Sequence, residues 1–153
     1  MCGILGLIGE ISHSKFREAL DLMKHRGPDA SGTYSRGPFH MGFRRLSIID
    51  LSDEANQPMM TSDGKLGIIF NGEIYNFIEI KSERVELGVE FRTSGDTEVL
   101  LYSFQQWGPA CLDKLNGMFA FAIYNFEEDE VFLARDRLGI KPLYFLAGDD
   151  FFS

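Results

Sequence analysis

Cysteine and histidine are scarce in this chain, and their positions exclude the chemistries that need them in clusters. The two cysteines, Cys2 and Cys111, lie far apart with no Cys-x-x-Cys partner, so neither a disulfide framework nor a zinc knuckle can be assembled. Both thiols are expected to be free. The three histidines, His13, His25 and His40, have no His-x-x-x-His spacing, which leaves a metal without a ligand set. Positive charge is in deficit too. Fifteen Lys+Arg against 23 Asp+Glu give a net charge of −8, a field that repels nucleic acid. No apolar run approaches the roughly 18 residues of a bilayer span, and Ile4–Ile8 is short and lacks the basic leader of a secretory signal. The sequence therefore reads as cytoplasmic, with no membrane and no nucleic-acid partner. Nor is there a phosphate-cradling Gly-x-x-x-x-Gly-Lys-Ser/Thr run, and Gly3, Gly6 and Gly9 do not make a dinucleotide fingerprint.

What is present is a globular composition, 44% hydrophobic and 25% charged over 153 residues, the size of one domain. Gly3–Gly9 reads as a strand covered on both faces. Phe16, Ala19, Leu20 and Met23 recur at helical spacing, predicting a helix over 14–25 that stops at Gly27-Pro28. Short β-rich pieces follow at Thr33-Tyr34, 39–43, 46–49 and 66–70. Helices are expected over 78–87 and 96–107, the latter with Thr93 and Asp96 at capping-box spacing. Strands resume at 118–125, 130–134 and 143–147. Helices between two blocks of antiparallel strands imply a layered α+β architecture, with no repeat or linker to divide the chain.

The residue richest in chemistry is Cys2. An initiator methionine before a small residue is normally trimmed, which would give Cys2 a free α-amine. An α-amine has a pKa of about 7.7–8.0, suited to a general base, so thiol and base would belong to one residue. A buried cysteine that merely starts a strand is the competing reading. A thiolate attacking a carbonyl needs oxyanion donors, and Asn71-Gly72 after an apolar strand offers an amide side chain and a glycine N–H; Asn-Gly is equally a strong hairpin-turn signal. An amino-acid substrate would need a cation for its carboxylate and an anion for its ammonium. Arg45 and Asp96 are candidates, with a surface arginine and a helix cap as the plainer alternatives.

Taken together, the motifs resemble the class II glutamine amidotransferase domain of glutamine-hydrolysing asparagine synthetases. They are Met1-Cys2-Gly3-Ile4, His25-Arg26-Gly27-Pro28-Asp29, Arg45-Leu46-Ser47-Ile48-Ile49-Asp50, Gln57-Pro58, Asn71-Gly72-Glu73-Ile74-Tyr75-Asn76, 94–99, Leu115-Asn116-Gly117-Met118-Phe119-Ala120, 134–137 and Gly139-Ile140-Lys141-Pro142-Leu143-Tyr144. They run in family order along essentially the whole chain. Sister amidotransferases acting on sugar phosphates or purine precursors share the Cys-Gly-Ile start and the Asn-Gly pair but not the surrounding residues.

The resemblance implies a four-layer αββα N-terminal-nucleophile hydrolase sandwich with antiparallel sheets, and hydrolysis of glutamine to glutamate and ammonia through a Cys2 thioester. It makes Asn71 and Gly72 the oxyanion donors and gives Arg45 the α-carboxylate and Asp96 the α-ammonium. Leu46, Ile48 and Glu73 are lining residues, and no metal or cofactor is required. Arg26, Asp29, Arg135, Asp136 and Lys141 match family positions that a buried ion-pair scaffold explains as well as substrate contact. The glutaminase domain is expected to fill residues 1–153 and to be cut short at its C-terminal end. The synthetase domain of the same polypeptide, with its ATP and Mg, lies outside this sequence, and a homodimer is possible. Ammonia would serve asparagine synthesis from aspartate. An acceptor other than aspartate, as in surface-polysaccharide biosynthesis, or a catalytically silent regulatory module are the alternatives. Intact-mass measurement of the active protein is expected to show a chain beginning at Cys2; turnover by protein retaining Met1 would remove the proposed base.

Overall fold

The computed structural model describes residues 1–153 as two antiparallel sheets packed face to face with helices outside each. The first sheet is built from β1 (Gly3–Ile8), β2 (Ala30–Arg36) and β3 (Phe39–Arg45) in the order β1-β3-β2. The second contains β4 (Met59–Met60), β5 (Leu66–Ile74), β6 (Gly117–Asn125) and β7 (Glu130–Arg135) in sequence order. Helix α1 (His13–Asp21) covers the first sheet, and α2 (Phe77–Glu86) and α3 (Asp96–Trp107) cover the second. This is the expected αββα layering.

Period-two alternation sorts the strands between the layers. In β3, Phe39, Met41 and Phe43 join Ile69, Ala122 and Tyr124 in the core between the sheets. The intervening residues turn to α1: Arg44 pairs with Asp21 at 3.1 Å, and Gly42 lies so close to α1 that a Cβ would sit 3.1 Å from Phe16 and Leu20. In β5, Ile68, Phe70 and Ile74 face the helices in a second core with Val99, Leu100 and Leu101, while Ile69 faces the first sheet.

Several sequence expectations are corrected. Strand β1 is an edge strand, half-buried along most of its length, because only β3 pairs with it through its length. Residues 46–49 form no strand: β1 begins opposite Arg44 and β2 opposite Arg45, so beyond Arg45 neither side offers a partner. Residues 143–147 likewise make only the isolated bridge Ala147–Phe152. Helix α1 ends at Asp21, and the following bonds Met23 N to Leu20 O and Lys24 N to Asp21 O tighten the chain into turns. The cap of α3 is Gly95; Thr93 instead donates its hydroxyl to Glu98 at 2.7 Å. Most consequential, Asn71-Gly72 is no hairpin turn but the interior of β5, with Asn71 opposite Ala120 and Gly72 opposite Phe119.

Leu100 has no exposed surface in the helix-side core, so Leu100→Ala is expected to lower unfolding free energy by about 2–5 kcal/mol, read as a fall in urea midpoint.

Candidate active site

Alternation carries three side chains out of the inter-sheet core to one end of the sandwich. Cys2 stands just before β1 in the row of Ile4 and Ile8; Arg45 ends the β3 row of Phe39, Met41 and Phe43; Asn71 continues from Ile69 in β5. They meet in a cleft of about 150 Å³. The same cleft is lined by Leu46, Ile48, Gly72, Glu73 and Asp96. All eight site residues proposed from sequence thus come together.

The Cys2 thiol is half-buried and lies against the first residue of the loop after β3, donating to Leu46 O at 3.7 Å and accepting from Leu46 N at 3.4 Å. Arg26 Nε holds the Cys2 carbonyl at 3.2 Å. Asp29 accepts from Ser47 N at 2.8 Å and fixes the same loop. These contacts run from side chains to backbone, and Asp29 and Arg135 are exposed. Asp136 also bonds backbone, accepting from Phe119, Ile140 and Lys141 N–H at 3.2, 2.8 and 2.9 Å. Burial works against its charge, but those three bonds prevail and hold the carboxyl below its ordinary range. The buried ion-pair scaffold therefore gives way to a scaffold of side chain-to-backbone clamps.

The open edge of β5 supplies the oxyanion donors. Its even-numbered residues direct their N–H groups away from β6, toward the side where β4 pairs only with Gly67 and Ile68. Phe70 N donates to Gln57 Oε1 at 2.6 Å, and Ile74 N to Asp96 Oδ2 at 2.9 Å. Between them, the Gly72 N–H has no side-chain partner. The Asn71 carboxamide, 6% exposed, makes no hydrogen bond within the protein. Two uncommitted donors thus border the cleft beside Cys2. Position 72 admits only glycine, since a Cβ would fall 2.7 Å from Phe119 Cα and 2.8 Å from Phe70 Cε2.

Two charges of the cleft, Arg45 and Asp96, are each without an ion-pair partner. Arg45 is 6% exposed and makes no ion pair; it donates from Nη1 to Ser52 O at 2.7 Å and Asn56 Oδ1 at 2.8 Å, and from Nη2 to Asp50 O. A guanidinium has five N–H groups, so two remain for a ligand. Asp96 is also 6% exposed and without a cation. Burial raises its pKa to about 6, against the lowering effect of the Ile74 N–H, and the nearby Glu73 charge adds to the rise. A buried cation and a buried anion, both unpaired, fit the two ends of an amino-acid zwitterion. The surface-arginine and helix-cap readings do not hold.

Two residues of this site were not singled out from sequence. Gln57 closes both polar groups of Phe70 and reaches Thr97 at 3.2 Å. Asp50 joins the loop after β3 to the segment before α3, accepting from the Ser52 and Ser94 backbone and hydroxyl groups at 2.7–2.9 Å. Those bonds, led by Ser52, hold its carboxyl far below the ordinary range. Both lay inside quoted motifs, but nothing in their spacing distinguished a clamp from a loop residue.

The glutamine amidotransferase domain family matches residues 1–152. The chain belongs to that family. It is 41% identical over 157 residues to asparagine synthetase [glutamine-hydrolyzing] 1 of Bacillus subtilis, covering 98% of this chain and 25% of that protein. Escherichia coli asparagine synthetase B [glutamine-hydrolyzing] is 40% identical over 149 residues, covering 94% and 26%. The chain thus spans about a quarter of the length of these relatives. The solved glutamine phosphoribosylpyrophosphate amidotransferase of B. subtilis superposes with a TM-score of 0.83 at 22% identity, over 99% of this chain and 41% of that one. That likeness shows that the two chains share a fold.

With its folded pKa near 6 and an ordinary value of 3.8, Asp96 favours folding most fully below pH 3.8, and that contribution is lost as pH rises through 6. Asp96→Asn is therefore expected to be more stable than wild type at pH 7.5, by roughly 1–3 kcal/mol, with the gap closing toward pH 4 in urea titrations.

Proposed function

We propose that this domain hydrolyses glutamine to glutamate and ammonia. The observation that carries the reading is the pairing, in one cleft, of unpaired buried charges of opposite sign with a thiol and two uncommitted donors. Glutamine enters with its α-carboxylate on the free N–H groups of Arg45 and its α-ammonium on Asp96. Leu46, Ile48 and Glu73 line its path. The side-chain carboxamide then lies toward Cys2, with its oxygen between the Asn71 amide and the Gly72 N–H.

Once Met1 is removed, the Cys2 α-amine takes the thiol proton and Sγ attacks the carboxamide carbon. The tetrahedral oxyanion gains most from Asn71 and Gly72, because the donors are already fixed where negative charge develops. Its collapse breaks the C–N bond, the ammonium returns its proton to the departing nitrogen, and water hydrolyses the thioester. No metal or cofactor enters these steps.

In the longer polypeptide, ammonia passes to a synthetase domain that uses ATP and Mg to make asparagine from aspartate. The relatives are asparagine synthetases by name, which favours aspartate over the surface-polysaccharide acceptor. A homodimer remains a proposal. No helix is long and apolar enough to cross a membrane; the location we propose is the cytoplasm.

The test is a coupled assay for ammonia and glutamate with a chromatographic assay for asparagine. The chain is expected to release ammonia and to make no asparagine when given aspartate and ATP. Cys2→Ala should abolish release, and Asn71→Ala should lower kcat by about 10²–10³-fold with a smaller change in KM. A folded wild type that hydrolyses no glutamine would sink the reading.

A further inference from the structure

Lys141 is the buried charge to which this chemistry gives no task. It is 5% exposed, lines the cleft with Cys2, and forms no ion pair. Its ammonium donates only to Met1 Sδ, at 3.1 Å, and a thioether is a weak acceptor. Buried lysines are ordinarily paired. Removal of Met1 takes away this one partner and leaves a buried ammonium in the cleft that Cys2 also lines.

The fold holds Lys141 there firmly. Its backbone N–H is clamped by Asp136 Oδ2 at 2.9 Å, and the same oxygen accepts from Phe119 N at 3.2 Å. Asp136 N returns a bond to Phe119 O at 2.8 Å. Phe119 is the residue opposite Gly72. The turn carrying Lys141 is thus fastened to the strand that backs the oxyanion donors.

We propose that Lys141 is a positioning residue whose ammonium, freed by removal of Met1, keeps the Cys2 α-amine neutral and so competent as a base. The inference rests on the trimmed N-terminus of the function proposed above. Two ammonium ions in one buried cleft disfavour each other. A lysine has an ordinary pKa of about 10.4 and an α-amine one of about 7.7–8.0, so the α-amine is the group that gives up its proton.

Other charges bear on the same spot. Glu73 from β5, Asp96 from α3 and Asp50 from the loop after β3 favour a protonated amine, while Arg45 from β3 and Arg26 on the Cys2 carbonyl oppose it. Asp50 is turned to Ser52 and Ser94, and bound glutamine neutralises Arg45 and Asp96 together. Glu73 and Arg26 are of opposite sign, and Lys141 is then the remaining cation of the cleft. When the amine takes the Sγ proton, an S–H bond is exchanged for an N–H bond. The thiolate and the later oxyanion lie in the field of the same cation.

The experiment is an NMR titration of the Cys2 α-amine in the trimmed full chain, labelled with ¹⁵N-cysteine, beside the pH profile of kcat/KM. The wild-type midpoint is expected below the ordinary range of about 7.7–8.0. Lys141→Met should raise it by about one unit and lower kcat/KM about tenfold at pH 6.5 with little change at pH 9, and Lys141→Arg should restore both. An unmoved midpoint in folded Lys141→Met, a loss equal at all pH values, or a change in KM alone would overturn the inference. Should Lys141→Met not fold, the wild-type midpoint decides, and a value at or above the ordinary range refutes it. A low midpoint without glutaminase activity would sink the proposed function and leave this inference standing; activity with an ordinary midpoint would do the reverse.

Discussion

A β-strand directs its backbone N–H groups alternately to its two neighbours, and in β5 one neighbour stops early. Strand β4 pairs only with Gly67 and Ile68, so Phe70, Gly72 and Ile74 would each present an unsatisfied group to a partly buried edge. The structure resolves the first with the Gln57 side chain and the third with the Asp96 carboxylate. The middle one stays open, and the cleft is organised around it. Because Asp96 serves both as the acceptor for Ile74 and as the candidate ligand for an ammonium, backbone satisfaction and substrate recognition share one carboxylate.

The electrostatic arrangement follows from the same edge. Asp96 must be buried to reach Ile74, and burial is what lifts its pKa to about 6. Arg45 is buried because it ends a strand row that points between the sheets, yet all three of its bonds go to neutral oxygens. Each charge is held by dipoles and left without a counter-ion, an arrangement that costs stability in the free protein and favours a zwitterionic ligand.

Much of this was legible in the sequence, and what was missed has physical reasons. The layered α+β class and helices α2 and α3 came from periodicity within one or two residues. The eight site residues came from a resemblance supported by residue chemistry, and the geometry gathers them in one cleft. Apolar composition could not reveal that 46–49 and 143–147 lack partner strands, because strand pairing is decided by what lies alongside. Asn71-Gly72 was ambiguous for the opposite reason: the local signal for a turn is strong, and only the long pairing of β5 with β6 overrides it. Clamps such as Gln57, Asp50 and Asp136 act between segments distant in sequence, so no local pattern announces them.

The Gln57 side chain has one more consequence. An exposed sheet edge is a template onto which another chain can add a strand, and a cleft that needs an unpaired N–H invites that hazard. Here Gln57 and Asp96 interrupt the edge on either side of Gly72, so the free stretch is a single residue long. That gap accepts one oxygen atom but gives a foreign strand no second bond, and the opening needed for chemistry is kept too short to seed aggregation.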